Sequence, residues 1–395
     1  MSVPRVPLSD LILAADPGFA CGDRPVDGVL QIRMNCVDSN GRLNLAVAPR
    51  VKPLPQLSRY LLESGDVVFN ATNSPDLVGK SALFSGNDEP VTFSNHFLRV
   101  RVRLDRLEPS YLIRWLGQQW KHRVFQSMCT QWVNQASVPR ERLLQLRIPL
   151  PSLAEQRRIA TLLDKADGIQ RKRREGLRLL EDLLRSVFLE TFGDPVSNDR
   201  GWDTKSLEQL VDPARPITYG ILKPGPDMAG GVPYVRVLDM QDGTVNEQQV
   251  KRTTRAIADA YKRSVLRTGD VLLSIRGHVG RVAVVPAGLD EGNITQDTAR
   301  LSLLSTVARD YVVACLSSMP MQAYMLRYVR GVAVSGINLG DVKKLLIPVP
   351  PPELQRRFAE LAERHRQLSE RLRRAQGDAD QLFESVAQRA FQEVA

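Results

Sequence analysis

The chain repeats itself. A segment beginning Ile148-Pro149-Leu150-Pro151 returns as Ile347-Pro348-Val349-Pro350, 199 positions later, and the same offset carries Gln156-Arg157-Arg158 onto Gln355-Arg356-Arg357 without a gap. It still holds for Leu183 and Leu382, Ser186 and Ser385, and Phe192 and Phe391. Upstream the offset drifts: Gly65-Asp66-Val67 matches Gly269-Asp270-Val271 at 204, Val78-Gly79 matches Val279-Gly280 at 201, and Tyr111 matches Tyr311 at 200. Small loop insertions in one half produce such drift. Self-similarity of this kind marks a duplicated architecture, so each half reads as a variable domain of about 150 residues followed by a uniform segment of about 45.

Each uniform segment opens with prolines, which a helix tolerates only in its first turn, and then runs without proline for some forty residues. That predicts two helices, each about 60 Å long at 1.5 Å per residue. Alternating steps of three and four select a seam on each. On the first it runs through Ile159, Leu162, Ala166, Ile169, Arg173, Gly176, Leu180, Leu183 and Val187. On the second it runs through Phe358, Leu361, His365, Leu368, Leu372, Ala375, Ala379, Leu382 and Val386. An apolar stripe of that length needs a partner, and the other helix is the natural one. A pseudo-twofold relation between the halves would pair them antiparallel, making a ruler between the variable domains. A coiled coil that only dimerises or stiffens the protein has the same seam.

The variable domains carry strand-like runs at 28–34, 66–69, 232–237 and 271–275, and helical spacing at 111–125 and 310–328. The expected fold class is α+β: two pseudo-repeated mixed domains joined by two long antiparallel coiled-coil helices. The expected boundaries are 1–147 and 196–346 for the variable domains, and 148–195 and 347–395 for the helices.

Composition narrows the function. Lys and Arg number 54 against 44 Asp and Glu, a net charge of +10 that favours an anionic partner. Cys21, Cys36, Cys129 and Cys315 form no CxxC pair, which argues against a disulfide framework or a zinc knuckle. His96, His122, His278 and His365 are scattered without metal-ligand spacing. No opening signal pattern and no membrane-length apolar run is seen, so a cytoplasmic location is expected. Gly79-Lys80-Ser81 imitates the end of a phosphate-binding loop, but Ser74 stands where that loop requires its first glycine. No methyltransferase or nuclease signature is present, so no catalytic residue is expected.

Taken together, Ile148-Pro149-Leu150-Pro151-Ser152-Leu153-Ala154-Glu155-Gln156-Arg157, Gly65-Asp66-Val67-Val68-Phe69-Asn70, Val78-Gly79-Lys80, Gly269-Asp270-Val271-Leu272 and Arg276-Gly277 resemble the specificity subunits of type I restriction-modification systems. The resemblance implies that each variable domain is a target recognition domain reading one half of a split double-stranded DNA site, while the helices set the spacing and dock two methyltransferase subunits. It also implies that S-adenosylmethionine, ATP and Mg belong to partner subunits, including a restriction/translocase subunit, and that this chain carries no cofactor. One departure is visible: Pro350-Pro351-Pro352-Glu353-Leu354-Gln355 shifts the acidic residue relative to Pro151-Ser152-Leu153-Ala154-Glu155-Gln156, which could weaken one docking site.

Bases are read at their edges by Arg, Asn, Gln and apolar groups. The candidate DNA-facing residues are Asn70, Thr72, Asn73, Ser74, Lys80, Asn95 and His96 in the first half, and Ser274, Arg276, His278, Arg281, Asn293 and Gln296 in the second, with Asp297 beside them. The same residue types also suit plain turns and solvated surface. The candidates for helix pairing and partner docking are Ile159, Leu162, Ile169, Leu180, Leu183, Val187, Phe358, Leu361, Leu368, Leu372, Leu382 and Val386. Two other functions fit the layout: a stand-alone bipartite DNA-binding regulator, or a coiled-coil protein-interaction scaffold.

Overall fold

The computed structural model describes residues 3–132, 135–330 and 335–392. The fold is α+β, and its main helices are α1 (Pro109–Lys121), α2 (Leu153–Phe192), α3 (Arg309–Ser317) and α4 (Pro352–Gln392). The chain forms two compact units, Met1–Arg174 with Arg374–Ala395, and Glu175–Arg373, so α2 and α4 each contribute to both.

Local chemistry fixes the ends of the long helices. At the start of α2, Ser152 Oγ accepts the Glu155 N–H at 3.3 Å. Its other end is followed by Gly193 at φ +78°, where a β-carbon would lie 2.1 Å from Asp199 Oδ1; only glycine takes this left-handed cap without a clash. α4 begins on Pro352, where a missing N–H costs nothing, and carries Glu353 in its first turn near the positive end of the helix dipole.

In the first unit, a four-stranded sheet has the order Ile12–Pro17, Phe97–Val102, Val67–Asn70, Ser81–Leu83, all antiparallel. Its strand Val67–Asn70 is buried on both faces. Val67 and Phe69 enter a core shared with Tyr111 of α1, Ile159 and Leu163 of α2, and Phe383 and Phe391 of α4. Val68 enters a second core with Ile32, Val91 and Phe93, closed by the small sheet of Arg50–Val51, Val29–Ile32 and Val91–Phe93. Each such side chain contributes about 1.5–3 kcal/mol when fully buried. Arg173 and Gln170 of α2 donate to the Ala375 and Ala379 carbonyls of α4, so the helix segments within this unit run antiparallel.

The second unit repeats the scheme. Val271 and Leu273 of strand Val271–Ser274 enter a core with Tyr311 of α3, Phe188 and Phe192 of α2, and Phe358 of α4, while Leu272 enters another with Val235 and Ile294. Phe192 lies 4.8 Å from the Tyr311 ring, as Phe391 lies 5.4 Å from Tyr111 in the first unit. Here too the helix segments run antiparallel: His365 faces Leu180, and the Phe358 ring meets those of Phe188 and Phe192 edge to face.

The buried row of the helices differs from the one that heptad spacing selects. Ile159 and Phe358 are buried, and Leu180, Val187, Leu372 and Val386 are half-buried. Leu162, Ile169 and Leu183 on α2, and Leu361, Leu368 and Leu382 on α4, stand 39–62 % exposed. Buried instead are Gln156, Ala160, Leu163 and Gln170 on α2, and Gln355, Ala362, Ser369, Phe383 and Ala387 on α4. Adjacent rows of both helices are apolar, and each helix packs on a mixed domain as well as on its neighbour. This second contact rotates the buried face, a choice that periodicity alone cannot make.

Candidate nucleic-acid interface

Both units build one backbone frame at the end of their central strand. In the first, the His96 carbonyl accepts the Ala71 and Thr72 N–H groups at 2.9 and 3.2 Å; in the second, the Asp297 carbonyl accepts those of Ile275 and Arg276 at 2.8 and 3.3 Å. Asn70 N–H donates to Lys80 O and Ser274 N–H to Arg281 O, both at 2.8 Å. A third strand joins the frame: Thr72–Asn73 pairs with Gln135–Ser137, and Arg276 bridges Gly336. Loops distant in sequence therefore converge, and the frame makes Asn70 equivalent to Ser274, Thr72 to Arg276, Lys80 to Arg281, and His96 to Asp297.

The Gly-Asp-Val repeat anchors this frame from the opposite end of the strand. Asp66 Oδ2 accepts the Glu63 N–H at 2.8 Å while Arg101 grips the carboxylate at 2.7 and 2.8 Å. Asp270 accepts the Arg267 N–H at 2.8 Å, is gripped by Arg215 at 2.9 and 2.8 Å, and takes a 2.6 Å bond from Ser302 Oγ. The motif is thus a capped turn, with the arginine supplied from different strands or loops in the two units.

Three candidates do not reach the surface. Asn70 is wholly buried and neither amide atom has a partner. Ser274 is wholly buried; its Oγ donates to the His278 carbonyl and accepts the Arg281 N–H at 2.7 Å. Asn293 is buried with Oδ1 accepting Ser264 Oγ at 2.6 Å. Each stands where a strand enters a turn covered by another layer, which is why a polar residue there faces inward. Lys80 and Arg281 are half-buried and fasten a turn: Lys80 Nζ donates to Val37 O at 2.6 Å and Arg281 Nη1 to Val237 O at 3.3 Å. Burial lowers the Lys80 ammonium pKa, which Asp38 partly counters.

The remaining candidates are accessible. Asn95, Arg276 and His278 are exposed, and Thr72, Asn73, Ser74, His96, Gln296 and Asp297 are half-exposed. Thr72 Oγ1 lies 3.1 Å from Ser137 Oγ, Asn73 Oδ1 accepts the Ser74 N–H at 2.8 Å, and Arg276 Nη1 lies 3.3 Å from Gln296 Oε1. Gly79-Lys80-Ser81 leads into strand Ser81–Leu83 instead of a helix, and a β-carbon on Gly79 (φ +88°) would lie 2.3 Å from the Phe125 ring. The glycine serves close packing.

Sequence reasoning missed Arg33 and Arg236, which open the turns Met34–Cys36 and Val237–Asp239. Arg33 Nη2 donates to Cys21 O at 2.6 Å, and Arg236 Nη2 to Asp239 Oδ1 at 2.6 Å. The signal was present, since Gly28-Val29 and Arg33 match Gly231-Val232 and Arg236 at an offset of 203. Among the described residues, no group of His, Cys, Asp and Glu could hold a metal ion, and no helix is long and apolar enough to cross a membrane.

The family described as type I restriction modification DNA specificity domain matches residues 40–178 and 200–374. The chain is 28% identical over 272 residues to the type I restriction enzyme EcoBI specificity subunit of Escherichia coli, covering 62% of this chain and 57% of that protein. It is 23% identical over 248 residues to the type I restriction enzyme MjaIX specificity subunit of Methanocaldococcus jannaschii, covering 56% and 54%. Each alignment spans little more than half of the relative. The crystal structure of a type I restriction-modification system S subunit from M. genitalium shares the fold at a TM-score of 0.59 with 13% identity, over 98% of this chain and 96% of that one. Matched over most of its length, this chain belongs to the type I restriction modification DNA specificity domain family.

Proposed function

We propose that this chain selects the DNA sequence for a type I restriction-modification enzyme, each unit reading one half of a split double-stranded site while α2 and α4 set the gap between the halves. The observation that carries the reading is the frame around Thr72 and His96, built again around Arg276 and Asp297 with different exposed side chains. One fold presenting two sets of polar groups suits two different half-sites. Affinity comes largely from Lys and Arg contacts to phosphate, and discrimination from side chains at base edges.

The exposed row of Leu162, Ile169 and Leu183, repeated at an offset of 199 in Leu361, Leu368 and Leu382, is the surface we assign to two copies of a methyltransferase subunit. Those subunits would bind S-adenosylmethionine and methylate adenine, and a restriction/translocase subunit would use ATP and Mg. In this reading the chain contributes recognition and no catalytic group, and it works in the cytoplasm. The test is selection of bound duplexes from a random library by the chain assembled with its methyltransferase subunit. A split motif with a fixed gap is the expected return; an unstructured pool rejects the reading.

A further inference from the structure

The two units can be compared position by position, because strand pairing gives an unambiguous register. Val29–Ile32 runs parallel to Val91–Phe93 with Ile32 opposite Phe93, and Val232–Val235 runs parallel to Asn293–Ile294 with Val235 opposite Ile294. Parallel bridges Phe19 to Ser94 and Ile221 to Thr295 extend the match. Asn35 therefore corresponds to Leu238, Asn95 to Gln296 and His96 to Asp297.

Among these positions, the residues that hold the frame are alike and the residues on its surface are not. Arg33 and Arg236 both stand immediately before the turn, Arg33 tied to the Cys21 carbonyl and Arg236 to the Asp239 carboxylate, and Lys80 and Arg281 reach the Val37 and Val237 carbonyls in that turn region. Asn35 and Leu238 are both exposed on the turn. The side chains of Asn95, His96 and Asp297 carry none of the hydrogen bonds found among the described residues. In the second unit these positions border a recess of about 320 Å³ lined by Leu222, Tyr234, Arg236, Leu238, Thr295 and Asp297, among others, room for roughly ten waters. Thr295 is 8% exposed and its Oγ1 has no partner; the equivalent Ser94, 4% exposed, has an unpartnered Oγ as well. A buried hydroxyl left unsatisfied in both units calls for a ligand or water partner.

We infer that this recess, between the turn 237–239 and the loop 295–297, and the equivalent turn 34–36 and loop 94–96 of the first unit, are where the two units discriminate bases. Positions 35 and 238, 95 and 296, and 96 and 297 are their specificity-determining residues. The chemistry differs as two half-sites require: Leu238 offers an apolar contact for a thymine methyl and Asp297 an acceptor for a cytosine amino group, where the first unit offers Asn35 and His96. Gln296 and Asn95 keep an amide at the third position. The inference rests on the DNA-selecting reading and deepens it.

The test uses the assembled chain and methyltransferase subunit, with fluorescence anisotropy on the selected site and on every duplex differing from it by one base pair. Failure of the wild-type complex to prefer any sequence sinks the DNA-selecting reading itself, before any variant is made. Given a preference, Asp297→Asn and Leu238→Asn, each made singly to spare the fold, should reduce discrimination at least tenfold at one base pair of one half-site and leave the other half-site unchanged. His96→Asn should act only on the opposite half-site. An unchanged discrimination profile overturns the inference, and so does an equal loss of affinity on all duplexes.

Discussion

Gln156 Oε1 accepts the backbone N–H of Glu108 at 2.9 Å, tying the first turn of α2 to the residue that precedes α1. Its Nε2 donates to the Arg106 and Pro151 carbonyls at 3.0 Å each. Gln355 repeats the arrangement, accepting the Ala308 N–H at 2.9 Å and donating to Pro350 O at 2.7 Å. Both side chains are buried, so the most uniform stretch of the duplicated sequence is the joint between each long helix and the segment that leads into the first helix of its mixed domain.

Replacing Gln156 with Leu should therefore destabilise the first unit by about 1–3 kcal/mol, the cost of leaving a buried backbone N–H without its partner. Gln355→Leu should do the same in the second. Chemical denaturation followed by fluorescence checks both, and a change within about 0.5 kcal/mol, ordinary for a surface site, contradicts the joint.

The shifted acid of the second segment has a local role. Glu353 pairs with Arg356 and Arg357 at 2.6 and 3.0 Å, and Glu155 pairs with Arg158 at 2.7 Å. All these pairs are exposed, where ion pairs contribute little to stability, and Glu353→Gln should leave the thermal midpoint unchanged by calorimetry.

Asp270 is the opposite case. Its carboxylate is buried under Arg215 and Ser302, and removing one partner of a buried pair costs about 3–5 kcal/mol. Asp270→Ala should unfold the second unit at temperatures where the wild type is intact; an unshifted thermal midpoint would show the capped turn to be dispensable.

Leu162→Asp combined with Leu361→Asp should weaken binding of a methyltransferase subunit at least tenfold while leaving the stability of the chain within about 0.5 kcal/mol of wild type, because both side chains are exposed. Pull-down alongside denaturation separates these effects. Unfolding of the double variant would return the row to the interior.

His365 supplies a pH test. Burial pushes its imidazole below the ordinary value of 6.5, against the pull of Leu180 O and Glu181. The folded chain then binds fewer protons at this site than the unfolded one, so this contribution is complete above about pH 6.5 and declines as pH falls below it. His365→Gln should flatten that part of the stability profile; an identical slope in the variant would show that the histidine does not contribute to it.

The duplication, the two long helices and the paired strands were legible because they depend on chain-local signals: proline-led starts, Gly65-Asp66 and Gly269-Asp270 turns, and apolar runs. Strands expected at 66–69 and 271–275 occur as Val67–Asn70 and Val271–Ser274. The choice between adjacent apolar rows, Leu162 against Leu163, was not legible, because the mixed domain packed on each helix decides it. Burial of Asn70, Ser274 and Asn293 depends likewise on a layer supplied from elsewhere in the chain. Arg33 and Arg236 were readable from their common offset, yet their side-chain partners, the Cys21 carbonyl and the Asp239 carboxylate, could only come from the fold.

Selection of a split DNA site by this chain is tested by mapping methylated adenines in host DNA when the chain is expressed with a type I methyltransferase subunit, against the methyltransferase subunit alone. One new split motif with a fixed gap, present only when the chain is there, is the expected result. A stable complex that leaves the DNA unmethylated, or methylation without a split motif, would contradict it.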